Sequence, residues 1–384
     1  MKKDYIFTYQ TKLEPSETAQ ALLSSQAELL CRVERCLFAD YAKGKTFPLL
    51  KSEYLKKYGI TARQFNALRV QLEGKIHSIL SLRQPHIERL KTLIEKVARK
   101  ITFLKKDPLK LRRKKQQHER LTKKLESLIA DEASGKVRLC FGSQKLFHAQ
   151  FHLEKNGYSS HAEWKKAWHK SRHDSFFTLG SKDESAGNQT CQAVVESDGT
   201  LTLHLRLPNA LITDQKYLVL KNVSFAYGHE TLLAALANCK KREVLKTQKD
   251  LSYIHYGQAI SYRFKQDDEG QWTVFASTSL APCDPCTDKN LGTVGIDINA
   301  DHLAMVEIDR YGNPIHKESF PLVTYGKTSD QAEALIGDVA LKLVEHAQKV
   351  QKPLVLEQLD FTKKKESLKS SHNPSHARML SSFM

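Results

Sequence analysis

The apolar positions of this chain change period along its length, and each change predicts a different element. Residues 5–14 alternate and predict a strand ended by Pro15. Residues 16–42 and 52–83 carry apolar groups at helical spacing, with Thr61 and Gln64 placed as a capping box. Ile87, Leu90, Ile94, Val97, Ile101 and Leu104 step by three and four residues, the seam of a helix that packs on another helix. Pro108 interrupts that run. Leu121, Leu125 and Leu128 then predict a second helix ending near Gly135, and the pair forms an antiparallel hairpin. Ser160 and Glu163 open a further helix that carries Trp164 and Trp168 on one face.

Period two takes over near residue 200. Leu201, Leu203, Leu205 and Leu207 alternate with Thr202, His204 and Arg206 after a Ser197-Asp198-Gly199 turn. Residues 217–225 predict another strand, 229–241 a short helix, and 251–265 and 271–277 two strands around an Asp267–Gly270 turn. Short strands with tight turns predict a small barrel or sandwich. If the strand at 5–14 completes it, the helical block is an insertion. Residues 281–292 are rich in turn formers and mark a linker. Beyond it come strands at 293–298, 303–308 and 314–320, a turn at Asp309–Asn313, a helix at 329–350 with Leu335, Val339 and Leu343 on its buried face, and a strand at 353–358. Three strands, a helix and a fourth strand is the opening order of an RNase H-like sheet. The fold class expected is α+β and multidomain: a first strand (1–15), a helical block (16–190), a β-barrel (191–280), the linker (281–292) and the start of an RNase H-like α/β domain (293–384).

Charge narrows the partners. The 384 residues carry 60 Lys+Arg against 43 Asp+Glu, a net charge of +17, which draws polyanions to the surface. The cations cluster. Lys105, Lys106, Lys110, Arg112, Arg113, Lys114, Lys115, Arg120, Lys123 and Lys124 lie on the hairpin, where few acids stand in position to pair with them, and predict a surface that tracks phosphates. Lys165, Lys166 and Arg172 interleave with Trp164 and Trp168, a combination suited to RNA, although an aromatic pair at helical spacing is more often part of a core. No apolar run is long enough to span a bilayer, and the start lacks a signal-peptide core, so no membrane partner and a cytoplasmic location are expected.

Asp297 and Glu357 each end an apolar strand, where burial of a lone carboxylate is costly unless something compensates it. If the two strands are neighbours, the acids meet and hold Mg²⁺ or Mn²⁺, ions that favour a few carboxylates plus water and phosphate oxygens. The chemistry expected there is metal-dependent phosphodiester hydrolysis. An ordinary strand-end acid facing solvent is the alternative for either residue taken alone. Asp301 and Asp360 are nearby spare acids. The seven cysteines are odd in number and scattered, which predicts reduced thiols. Cys283 and Cys286 have the spacing of half a zinc knuckle, but no second pair accompanies them, and zinc is not expected.

These residues carry a resemblance. Gly295-Ile-Asp297-Ile-Asn299 resembles the first RuvC-like motif of the transposon-encoded TnpB proteins, relatives of the CRISPR type V effectors. Glu357-Gln-Leu-Asp-Phe361, with Lys363, Lys364 and Lys365 and then Arg378–Phe383, resembles the second motif and the helix that follows it. Phe141-Gly-Ser143, Gly180–Glu184 and Gly187-Asn188 are similar to a TnpB-related subgroup. The resemblance implies a wedge-like barrel, a helical recognition block, a guide RNA and a double-stranded DNA target. Asp297 and Glu357 become catalytic acids, and Lys363, Lys364 and Lys365 join the nucleic-acid contacts. It also implies a third acid, for which this sequence has no counterpart, so the nuclease domain is expected to lack its C-terminal part. Two alternatives remain open: a guided DNA-binding protein that does not cut, repressor-like in action, and an RNase H-fold transposase or resolvase that needs no RNA.

Overall fold

A computed structural model describes residues 5–104, 107–239, 242–246, 251–255, 257–280, 286–299 and 301–357. The fold is mixed α+β. The chain divides into two compact units, Met1–Ala281 and Pro282–Met384, a division that falls at the start of the predicted linker.

Unit 1 begins with β1 (Tyr5–Lys12), followed by α1 (Glu17–Tyr41), α2 (Phe47–Tyr58), α3 (Ala62–Phe103) and α4 (Pro108–Ala133). Two short helices, α5 (Gln144–Ala149) and α6 (His161–Lys170), lead to β2 (Ser175–Thr178), β3 (Cys191–Val195), β4 (Leu201–Arg206) and β5 (Tyr217–Val223). Then come α7 (His229–Cys239), β6 (Arg242–Lys246), β7 (Leu251–His255), β8 (Ile260–Gln266) and β9 (Trp272–Leu280). β1 pairs antiparallel with β9 along its whole length, Tyr5 opposite Leu280 and Lys12 opposite Thr273. The first and last strands of the unit are therefore neighbours, and everything between them is inserted.

Two expectations need correction. The strands do not close into a barrel: among the described residues they form open sheets ordered β1-β9-β8-β2, β3-β4-β5 and β6-β7. Helices take the place of closure, because α1 and α3 pack on β2, and α1 also packs on β5. Second, β2 lies within the stretch assigned to the helical block, yet it joins the first sheet beside β8. Helices and sheets share one interior. Leu23, Leu37, Tyr54, Phe65 and Leu72 share one apolar core with Leu203, Leu205, Phe264 and Trp272.

The capping box at Thr61 and Gln64 forms, and α3 runs on through Pro85 as one helix. A proline removes only its own N–H and strains one preceding carbonyl, and the buried Ile87, Leu90 and Val97 hold the helix past that point. Pro108 does more than interrupt. It sits in the first turn of α4, whose N-terminus the Asp107 carboxylate caps by accepting from the Lys110 N–H at 3.0 Å. α4 packs back on α3 as the expected hairpin. At its base, the buried Arg83 donates to the carbonyls of Asp131 (3.2 Å) and Lys136 (2.6 Å).

Unit 2 contains β10 (Thr293–Ile298), β11 (His302–Ile308), β12 (Pro314–Pro321), α8 (Ser329–Val350) and β13 (Leu354–Leu356). The sheet order is β12-β11-β10-β13, with β13 parallel to β10 and the other pairs antiparallel. Asp309 shapes the β11–β12 turn by accepting from the N–H groups of Tyr311 and Asn313, both at 2.8 Å. A second capping box, Thr328 with Gln331, starts α8. Val339, Leu343 and Ala347 of α8 are buried, and the first two pack with Val294, Ile296, Met305 and Phe320. Leu335 is 37 % exposed and does not belong to the buried face, because it lies near the N-terminal end of α8.

One charged cluster is sealed into this layer. Lys352, 6 % exposed, donates to the Glu307 carboxylate at 2.6 Å, and His346 lies 3.1 Å from the other carboxylate oxygen. The Lys352 ammonium holds the Glu307 carboxyl below the usual glutamate range. A depressed folded-state pKa contributes stability that is complete above the ordinary value near 4.3 and is lost as pH falls through the lowered one. Lys352→Met should cost about 3–5 kcal/mol in denaturant unfolding, because it leaves a buried carboxylate without its cation. Adding Glu307→Gln should recover most of that loss.

Candidate active site

β10 and β13 pair in the order Val294–Leu354, Gly295–Val355 and Ile296–Leu356. The next step along both chains is Asp297 and Glu357. Parallel neighbours stand about 4.8 Å apart, so the two acids predicted to meet leave adjacent strand ends together. Side chains alternate along β10, and Val294 and Ile296 are buried in the α8-facing core. Gly295 and Asp297 therefore occupy the opposite face.

The structure corrects the burial argument. Asp297 and Glu357 are both exposed, so no desolvation cost demands a cation between them. The donor chemistry still fits one: two solvent-facing carboxylates on rigid strand ends suit a hard divalent ion that keeps part of its water shell. The Asn299 side-chain amide donates to Asp297 Oδ2 at 3.1 Å and fixes the carboxylate rotamer. Asn299 entered the sequence reading only as the last residue of the Gly295–Asn299 motif, with no role of its own. The surroundings are small. Ala304 stands opposite Asp297, and a Cβ built on Gly295 would meet only the Val306 carbonyl, at 3.7 Å. Neither backbone strain nor crowding requires glycine there, and its presence leaves room beside the acid.

Asp301 is committed to its own turn. Its carboxylate pairs with His302 Nδ1 at 2.7 Å, and its carbonyl accepts from the Leu322 N–H at 2.7 Å. Among the described residues, no three His, Cys, Asp or Glu side chains form a group that could hold a metal ion. Asp360, Lys363, Lys364, Lys365 and Cys283 lie outside the described residues, as do Lys105 and Lys106.

The cations of α4 stay on the surface. Lys110, Arg112, Arg113, Lys115, Arg120, Lys123 and Lys124 are exposed, and Lys114 is half-buried with its ammonium on Gln117. Lys110 pairs with Asp107 at 3.0 Å and Lys123 with Glu119 at 2.7 Å. Arg112, Arg113, Lys115, Arg120 and Lys124 have no ion pair among the described residues. The triple variant Arg112→Gln, Arg113→Gln, Lys115→Gln should leave Tm unchanged and flatten the salt dependence of nucleic-acid binding. The slope of log K against log salt should fall by about 0.7–0.9 for each phosphate that the variant no longer neutralises.

Trp164 and Trp168 are engaged with neighbouring groups of unit 1. Their rings stack at 6.0 Å, Trp164 Nε1 donates to the Leu146 carbonyl at 2.8 Å, and the Arg172 guanidinium lies over Trp168 at 5.3 Å. Both indoles are half-buried, while Lys165 and Lys166 beside them are exposed. His173 is held on both sides: Arg35 donates to Nε2 at 2.6 Å, and Nδ1–H donates to the His169 carbonyl at 2.7 Å. Burial lowers its pKa.

The chain matches no protein-family model and no curated protein. No described helix is long and apolar enough to cross a membrane.

Proposed function

We propose that this protein is an RNA-guided DNA endonuclease of the TnpB type. In this reading unit 2 is a RuvC-like, RNase H-fold nuclease domain, and unit 1 combines a wedge-like set of sheets with the helical block that holds RNA. One observation carries the proposal: the parallel register of β10 on β13, which brings Asp297 and Glu357 to adjacent strand ends. The surplus of cations and the unpaired arginines and lysines of α4 support a nucleic-acid partner.

Asp297 and Glu357 would hold Mg²⁺ or Mn²⁺, which supplies an activated water and neutralises the leaving oxygen in phosphodiester hydrolysis. Asn299 keeps the Asp297 carboxylate turned to one rotamer. The small side chains of Gly295 and Ala304 let a phosphodiester approach the acids closely. Target sequence is read by base pairing with the guide, and the protein contributes backbone contacts and chemistry.

The test is purification together with RNA transcribed from the flanking DNA, followed by nuclease digestion and sequencing of the protected fragment. The expected result is one defined RNA, and cutting of a duplex that matches its free end only when Mg²⁺ is added. Absence of a protected RNA, with cutting or binding of DNA by the protein alone, would overturn the proposal.

A further inference from the structure

We infer that the outward face of the β1-β9-β8-β2 sheet is a platform for single-stranded RNA, with bases stacked on Phe275 and Phe177. The inference deepens the reading of unit 1 as RNA-binding and rests on it.

The register builds the platform. Phe275 stands between Gln10 of β1 and Arg263 of β8, and Arg263 in turn faces Phe177 of β2. Directly paired residues share a face, so one row across the sheet carries two aromatic rings with a guanidinium between them. The next row carries Lys12, Thr273 and Lys265. The opposite face is the core: Phe176, Phe264, Trp272, Val274 and Ala276 are all buried. Strand alternation thus assigns the rings and cations to the outside, where Lys12, Arg263 and Lys265 are exposed. A groove of about 600 Å³ runs over this face, bordered by Lys12, Lys265, Thr273 and Phe275.

The chemistry selects the occupant. Flat rings in a row with cations one strand spacing away match bases and phosphates in one unpaired strand. A duplex, whose bases are stacked inward, could not use the rings. The third row consists of hydroxyls: Thr8 Oγ1 and Ser277 Oγ lie 2.7 Å apart, and Ser261 Oγ, opposite Ser277, accepts from the Gly180 N–H at 3.0 Å. Hydroxyls that both donate and accept suit ribose 2′-OH groups, which favours RNA over DNA. Asp174, Asp267 and Asp268 also line the groove, where they repel phosphate and limit the track. Asp267 is already occupied by the N–H groups of Glu269 and Gln271.

The experiment measures fluorescence anisotropy of a labelled, unstructured oligouridine of about twelve nucleotides with the full chain. Phe275→Ala should weaken binding roughly 5- to 100-fold with an unchanged salt slope. Lys265→Gln should flatten that slope by about 0.7. Phe275→Tyr keeps the ring and should bind like the wild type, and Phe275→Leu, which keeps the bulk, should bind like the alanine variant. This pair separates stacking from misfolding. Equal binding of Phe275→Leu and wild type would overturn the platform while leaving RNA binding in place. Equal binding of the matching DNA or of an RNA duplex would also overturn it. No RNA binding by the wild type would remove the underlying reading of unit 1 and this inference with it.

Discussion

Asp297→Ala should abolish metal-dependent cutting of matched DNA, by at least about a thousandfold, while leaving RNA and DNA binding intact. The magnitude follows from what the acids are asked to do. Metal stabilisation of attacking and leaving oxygens is worth several kcal/mol, and each 1.4 kcal/mol is a factor of ten in rate. Under the proposed function Glu357→Gln should produce the same loss, because the two carboxylates would act as one ligand set. The double variant should be no worse than either single one, as groups that work as a unit are far from additive. Folding should be unaffected: both side chains are exposed, and exposed substitutions usually stay within about 0.5 kcal/mol. Single-turnover cleavage and calorimetry on the same preparations provide the check. Cutting by Asp297→Ala at the wild-type rate would end the assignment of this site.

The parts of the fold that were legible share one property: local sequence alone determines them. β10, β11 and β13 of unit 2 are short, mainly apolar runs, and α8 has one apolar stripe. The capping box at Thr61 needs only residues 61–64. What was not legible depends on distant partners. The four residues of β2 look like part of a helical block until β8 lies beside them. Pro85 marks a break in local terms, yet packing of the helix on both sides of it overrides that preference. Barrel closure does not follow from the strand pattern, because the apolar faces of the strands are equally well covered by α1 and α3. The site shows the same limit. Two strand-terminal acids were visible, but their exposure was not, since it depends on which face of β10 receives α8. The row Phe275, Arg263 and Phe177 is spread over three strands and gives no contiguous motif.

Asn188→Ala should be among the most damaging single changes in unit 1, costing about 3–5 kcal/mol and lowering Tm by roughly 6–15 °C. Asn188 is fully buried, and both ends of its amide are used. Nδ2 donates to the Ile260 carbonyl (2.9 Å) and to Thr178 Oγ1 (3.1 Å) and its carbonyl (3.3 Å). Oδ1 accepts from the N–H groups of Thr190 and Cys191, each at 2.9 Å. One side chain thus joins β2, β8 and the start of β3. Alanine would orphan two buried N–H donors and remove a donor from two carbonyls, and each unsatisfied buried group costs about 1–3 kcal/mol. Asn188→Asp sharpens the test. It keeps the acceptor for Thr190 and Cys191 but turns a carboxylate oxygen toward the Ile260 and Thr178 carbonyls, so it should destabilise more as pH rises and the acid ionises. Gly187 completes the joint. It adopts φ +68° and stands so close to the Gln258 carbonyl that a Cβ would collide with it. The Gly187-Asn188 pair that contributes to the family resemblance is therefore accounted for by the joining of two sheets, without any part in catalysis. A loss confined to stability, with single-turnover cleavage by the folded fraction unchanged, is the result that this geometry requires.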